Sequence, residues 1–197
     1  MNLAAAILEN SWVRLAPFDE SHRAGLTAAA EANLPIFAHM PFPIAARGYG
    51  PWFDYLRAEQ DAGRWIPHAV IAPSGAVVGQ SCYLTIRTEH EGVEIGGTWY
   101  TPAVQGTAIN PAAKLLLLDH AFGCGAVRVE FKTDALNAQS RAALAKLGAT
   151  FEGVLRRHMK RANGTLRDSA YFSVIRDEWP ALRARIEARL AQLPSSF

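Results

Sequence analysis

The chain has 197 residues, half of them apolar (50%) and 19% charged, with a formal net charge of +2. That length supports one domain, residues 1–197, with a core of its own, and the composition excludes a disordered chain. The near-neutral balance lacks the basic excess of a dedicated nucleic-acid binder, so no nucleic-acid partner is expected.

The start, MNLAAAILEN, has neither a basic region nor a long apolar stretch, so no secretory leader is expected. SWVRLAPF (11–18) reads as a first strand with Val13 and Leu15 on one face. Asp19 then caps an alanine-rich helix over 19–34. Residues 35–50, PIFAHMPFPIAARGYG, are broken by three prolines and two glycines and read as a loop. PWFDYLRAEQDAG places Pro51 at a helix start and Gly63 at its end.

The period then changes to two. WIPHAVIA (65–72), AVVGQSCYLTIR (76–87) and GVEIGGTWY (92–100) read as an antiparallel meander with turns at PSG and HEG. NPAAKLLLLDHAFG (110–123) is a helix, with Asn110 as its cap and Pro111 in its first turn. AVRVEFKTD (126–134) is a strand. NAQSRAALAKLG (137–148) is a helix capped by Asn137 and closed by Gly148. TFEGVLRRHMKR and RDSAYFSVIR flank ANGTL as a hairpin, and DEWPALRARIEARLAQL (177–193) is a last amphipathic helix. The order β-α-α-β-β-β-α-β-α-β-β-α fits one α/β (α+β) domain with a mixed, largely antiparallel sheet.

No apolar run approaches the ~20 residues that cross a bilayer, so no membrane association is expected. Cys82 and Cys124 lie outside any CxxC or zinc-type spacing, and no two histidines stand four apart. Two reduced thiols and no metal site are therefore expected.

Three stretches could carry chemistry. AVQGTAINPAAK (103–114) joins a strand to a helix, and its amides lie near the positive end of a helix dipole, where anions bind. It has no GKS or GKT, so it is not an NTPase loop, and no GxGxxG marks a dinucleotide fold. Gly96 and Gly97 inside the preceding strand suggest a bulge or a close backbone approach. Asn137 and Ser140, three apart in the first turn of the following helix, can lean toward one cleft.

Together VEIGGTWY, QGTAINPAAKLLLLDHAF, VEFKTDALNAQSRAALAKLGATFEGVLRRHM and RDSAYFSVIRDEWP resemble the GNAT superfamily of N-acetyltransferases, of the RimJ/RimL type. The resemblance covers nearly the whole chain and is clearest over residues 92–180. It implies a twisted sheet with helices on both faces, whose central strands splay apart to admit acetyl-CoA. The family's pyrophosphate loop, Q/R-x-x-G-x-G/A, falls on Gln105, Gly106, Thr107, Ala108, Ile109 and Asn110. Ala108 replaces the first glycine of that pattern and Asn110 the last Gly/Ala. Alanine disfavours positive φ and is expected to bring a methyl near the phosphates. Pantetheine would run along Thr98, Trp99 and Tyr100, and Asn137 would bind its arm. Ser140 stands where this branch offers a hydroxyl to the leaving thiolate. Glu94 matches an acidic position that could deprotonate the amine through water, and otherwise would be a strand carboxylate paired with a basic residue. Tyr171 is a further candidate acid.

The resemblance implies a cytoplasmic acetyl-CoA-dependent N-acetyltransferase acting by direct attack, without metal, on a protein N-terminal amine or a small-molecule amine. Dimers are common in the family, which makes a homodimer one expected assembly. Two other readings compete. The altered loop fits a non-catalytic CoA-binding regulatory module, and LRRHMKR fits an RNA-associated protein, although strand alternation would split that basic stretch over two faces.

Overall fold

A computed structural model describes residues 1–193. Eight strands form one sheet in the order β1-β2-β3-β4-β5-β6-β8-β7. They are β1 (Leu8–Glu9), β2 (Arg14–Pro17), β3 (Ile66–Ile71), β4 (Val77–Arg87), β5 (Gly92–Tyr100), β6 (Arg128–Asp134), β7 (Thr150–Lys160) and β8 (Leu166–Ile175). The helices are α1 (Arg23–Glu31), α2 (Ile44–Arg47), α3 (Gly50–Asp61), α4 (Ile109–Gly123), α5 (Ala138–Leu147) and α6 (Trp179–Leu190). Neighbouring strands are antiparallel except β5 and β6.

The expected elements are present with two additions. The two-residue β1 pairs with β2 and carries no pattern long enough to be read as a strand. The stretch expected as loop, 35–50, is folded more tightly than that, with a 3-10 turn over Leu34–Phe37 and the single-turn α2. Proline suits a first helical turn, which accounts for Pro35 in the 3-10 turn. Asp19 caps a 3-10 turn, and the helix proper begins at Arg23.

Alternation along the strands divides the interior into two cores. On one face Val93, Ile95, Phe131, Ala170, Phe172 and Val174 meet α4 and α6. On the other, Ala69, Cys82, Leu84 and Trp99 meet Phe18, Leu26, Tyr49, Trp52 and Phe53 from the segment carrying α1–α3. The second face is apolar only over β2–β5. Toward β6 and β8 it carries Glu94, Lys132, Asp134, Arg167, Ser169 and Tyr171 instead. The sheet thus has an apolar half under α1–α3 and a polar half beside it.

Candidate active site

The parallel ladder between β5 and β6 is short. It joins Gly92 to Arg128, Val93 to Val129 and Glu94 to Glu130, and then ends. β5 continues to Tyr100 and β6 to Asp134 with their facing edges unpaired. The cause lies in β5. Gln80 faces Trp99 and Cys82 faces Gly96, so Ser81 alone opposes both Gly97 and Thr98. This is the bulge expected from the paired glycines. Gly97 has φ 58°, in the left-handed region that glycine adopts most readily. Gln80 Nε2 holds the Gly97 carbonyl at 2.8 Å, while the buried Tyr49 hydroxyl donates to Gln80 Oε1. The bulge falls where β5 parts from β6, and the ladder has a gap beyond Glu94.

On the α4 face, two helix starts meet at this gap. Gln105 Nε2 donates to the Tyr100 carbonyl at 3.0 Å, and Gln139 Nε2 donates to Gln105 Oε1 at 2.9 Å. Asn137 caps α5 as expected, its Oδ1 accepting from Ser140 N at 2.9 Å. Gln105–Asn110, Asn137 and Ser140 are therefore neighbours, joined by a side chain, Gln139, that the sequence did not single out.

The loop itself corrects two expectations. Asn110 is not the cap of α4. The helix begins at Ile109, and the Thr107 hydroxyl accepts from Ile109 N at 3.3 Å while donating to the Val104 carbonyl. A threonine two residues before the helix fills the role that the Asn-Pro pair suggested for Asn110. Ala108 has φ −67°, so its conformation is free of the penalty that alanine pays at positive φ. Its methyl is also in the core, where the residue is 3% exposed, and does not crowd the loop's outer side. Only Gly106, with φ 79° and open space where a Cβ would stand, needs to be glycine. The departures at Ala108 and Asn110 thus give no ground for an impaired loop.

Across the gap, on the polar half of the other face, Glu94 is buried and accepts from Lys132 Nζ at 3.1 Å and from Thr85 Oγ1 at 3.2 Å. The pairing weighed for it is present, and Glu94 is at the same time the carboxylate where the ladder ends. Tyr171 stands opposite Lys132 in the β6–β8 register. Burial, and next the Glu94 charge, push the Tyr171 phenol above its ordinary value.

Two further residues at this site escaped the sequence. In β7 the register shifts between Leu155 and Met159, with Arg157 at φ 51°, and this bulge directs His158 Nδ1 to Ser169 Oγ at 3.1 Å. The His158 ring meets Tyr171 edge-on, with centroids 5.7 Å apart. Burial, then the charges of Lys132 and Arg167, lower its pKa, so the ring is neutral near pH 7. Within LRRHMKR, His158 and Arg161 are thus committed to the protein, with Arg161 paired to Asp134 at 2.6 Å.

The second is Lys114, on α4 facing the sheet and only 6% exposed. Its Nζ donates to Thr98 Oγ1 at 3.0 Å and lies 3.4 Å from Ser81 Oγ, directly behind the bulge. No carboxylate pairs with it among the described residues, and burial pushes its pKa down to about 7. Burying Ile109, Leu117 and Leu118 on the same helix contributes about 2 kcal/mol each, enough to tolerate one buried amine.

No group of three or more His, Cys, Asp or Glu is placed to hold a metal among the described residues, and no described helix is long and apolar enough to cross a membrane.

Residues 13–150 match the acetyltransferase (GNAT) domain family. No curated protein matches the sequence. Among solved structures, a GCN5-related N-acetyltransferase from Brucella melitensis is 30% identical, covering 98% of this chain and 88% of its own, with a TM-score of 0.87. Mycobacterium smegmatis RimJ, in complex with CoA-disulfide, is 25% identical over 95% of this chain and 94% of its own, with a TM-score of 0.78. The acetyltransferase MccE, in complex with acetyl-CoA and AMP, shares the fold at 19% identity, covering 84% of this chain and 93% of its own, with a TM-score of 0.75. A sheet opened between its parallel strands, a loop and two helix starts at the opening, and a family match across 13–150 have one explanation: the chain belongs to the GNAT family of acetyltransferases.

Proposed function

We propose that the protein transfers the acetyl group of acetyl-CoA to a primary amine, by direct attack within a ternary complex and without metal. The RimJ/RimL type and a cytoplasmic setting complete the reading. The observation that carries it is the opening in the β5–β6 ladder, because it joins the face bearing the loop and Ser140 to the face bearing Glu94 and Tyr171.

In this reading the amides of Gly106–Asn110 take the pyrophosphate at the start of α4. The edge of Thr98, Trp99 and Tyr100 that faces β6 takes pantetheine as an added strand would. The Trp99 and Tyr100 side chains face the two cores, so they shape the edge without lining it. Asn137 uses Oδ1 for its cap, which leaves Nδ2 to donate to the pantetheine arm. The amine arrives from the polar face, where Glu94, through water, accepts its proton. Nitrogen attacks the thioester carbonyl, the tetrahedral oxyanion collapses, and the thiolate leaves toward Ser140. Proximity and hydrogen bonding supply most of the acceleration. With an ordinary alcohol pKa, Ser140 serves by its hydrogen bond more than by full proton transfer.

Ser140→Ala is expected to lower kcat by about 10- to 100-fold while leaving the acetyl-CoA Kd within a factor of two. Equal loss in both would make Ser140 a binding residue. For Asn137→Ala, calorimetric titration with acetyl-CoA should give a Kd raised about tenfold, together with a loss of about 1 kcal/mol of stability from the vacated cap. An unaltered Kd would remove Asn137 from the site. Thiol release from acetyl-CoA across an amine panel, with the acetylated product confirmed by mass, tests the function itself. Tight acetyl-CoA binding with no amine releasing thiol would overturn it.

A further inference from the structure

The polar half of the sheet contains a cation with no ionic partner. Arg167 is 4% exposed, and by strand alternation it shares a face of β8 with Ser169 and Tyr171, opposite Ala170 and Phe172. Its Nε meets no acceptor, and its Nη1 reaches only the His39 carbonyl, at 3.5 Å. Nearby carboxylates are committed elsewhere. Asp134 accepts from Arg161 Nε and Nη2 at 2.6 and 3.0 Å, and Asp168 Oδ1 accepts from Arg157 N at 2.7 Å. Among the described residues, none makes an ion pair with Arg167 within 4.0 Å.

A guanidinium does not shed its charge in a protein, so this is a buried charge with no carboxylate in direct contact. Such an arrangement is costly, and removing one partner of a buried pair typically destabilises strongly for this reason. Arg161, just past the end of the adjoining strand β7, shows the alternative that this fold achieves, a forked ion pair with Asp134. The Arg167 guanidinium instead leaves its buried Nε without an acceptor, on the same face of β8 as Tyr171, the face from which the amine is proposed to enter. Its charge is felt at Glu94 and Tyr171, which places it in the electrostatic surroundings of the gap.

We propose that Arg167 is an anion subsite of the acceptor pocket, and that the natural acceptor is an amine carrying a carboxylate held by this guanidinium. This rests on the transferase reading and narrows it. A polyamine or an amino sugar would bring a second positive charge or none to Arg167. An amino acid or an acidic peptide would complete the fork with two parallel N–H···O bonds. Arg167 and Tyr171 are four residues apart on β8, about 13 Å along the strand. Shortened by the reach of the arginine side chain, that span suits a carboxylate one to three residues from the reacting amine.

The test compares amines matched except for the carboxylate: γ-aminobutyrate against butylamine, and Ser-Asp-Ala-amide against Ser-Asn-Ala-amide. In the wild-type protein the carboxylate member is expected to give at least tenfold higher kcat/KM. The ratio should fall to near one in R167Q and stay intermediate in R167K, which keeps the charge and loses the fork. The pair with the larger ratio identifies the source, free amino acid or peptide. Equal values within both pairs, or a ratio that survives in R167Q, would overturn the proposal.

A binding arm separates this proposal from the transferase reading. In the presence of CoA, millimolar glutarate should raise the melting midpoint of the wild-type protein, whereas glutaramide and R167Q should show no such rise. Glutarate stabilisation with no thiol release from any amine keeps the anion subsite and sinks the transferase reading. No glutarate shift sinks the subsite. R167Q without ligand should melt at or above the wild-type midpoint, since it removes an unpaired charge. A purely structural arginine would give a lower one.

Discussion

Replacing Lys114 by methionine is expected to stabilise the protein by roughly 3 kcal/mol at pH 7 and to remove a rise in stability above that pH. The amine lies behind the bulge with no carboxylate partner, and methionine fills a similar volume at no ionic cost. The two hydroxyls it contacts, Ser81 and Thr98, stay satisfied because they bond each other at 2.7 Å. The pH dependence follows from where the proton sits. In the unfolded chain the amine titrates near 10.5, and in the folded protein near 7. Between these values the unfolded state holds a proton that the folded state lacks, so stability rises with pH, at most by about 1.4 kcal/mol per unit. Below pH 7 both states are protonated and the contribution is constant. Cys82 is the titratable neighbour, and burial pushes its thiol up, so it remains neutral through this window. Urea denaturation at pH 7 and pH 8.5 should show the wild-type protein gaining about 1.5 kcal/mol more than K114M. Parallel pH profiles, or a less stable variant at pH 7, would remove the buried charge from this account.

Gly97→Val should act in the opposite direction, lowering stability by about 3 kcal/mol and the melting midpoint by roughly 10 °C. A β-branched residue at φ 58° is disfavoured by its backbone alone. Its Cβ would also stand 3.3 Å from Cys82 Sγ, inside the α1–α3 core. Strand slippage offers no escape. A one-residue shift would exchange the faces of Trp99 and Tyr100, which are buried in opposite cores. The strain therefore stays at the bulge, and acetyl-CoA affinity should fall with it. Asparagine tolerates positive φ better, so G97N should lose less of both quantities. A valine variant with wild-type stability and affinity would separate the bulge from the site.

Period and punctuation made most of the fold legible. The meander, the Asn137 cap and the Gly96–Gly97 bulge all lie in local pattern, and the structure places them where they were expected. What was missed depends on contacts between distant segments. Asn-Pro is an ordinary helix entry, and only the folded loop shows the Thr107 hydroxyl taking over. A single lysine among leucines reads as one that snorkels to water. Lys114 is buried because α4 lays that side against β4 and β5. Arg167 sits at a polar position of its strand, as alternation requires. It is buried, and its one side-chain hydrogen bond among the described residues runs to the carbonyl of His39, more than a hundred residues earlier. His158 is aimed by a bulge that no glycine announces, since Arg157 itself takes the positive φ.

The unpaired edges of β5 and β6 lie inside the sheet. Open edges of a sheet usually invite other strands, and proteins blunt them with charge, proline or shortness to avoid aggregation. Here the invitation is kept and access is narrowed. The edges face each other across a slot backed by α4, and each strand keeps its other neighbour, β4 or β8. A polypeptide strand with side chains on both faces would collide with those walls, whereas a thin, flexible arm carrying amide groups can enter. In amide hydrogen exchange, Thr98–Tyr100 should therefore differ from the paired start of β5 until such an arm is bound, and slow when it is. Solubility and ligand selection would then have the same origin: an edge that only a slender guest can reach.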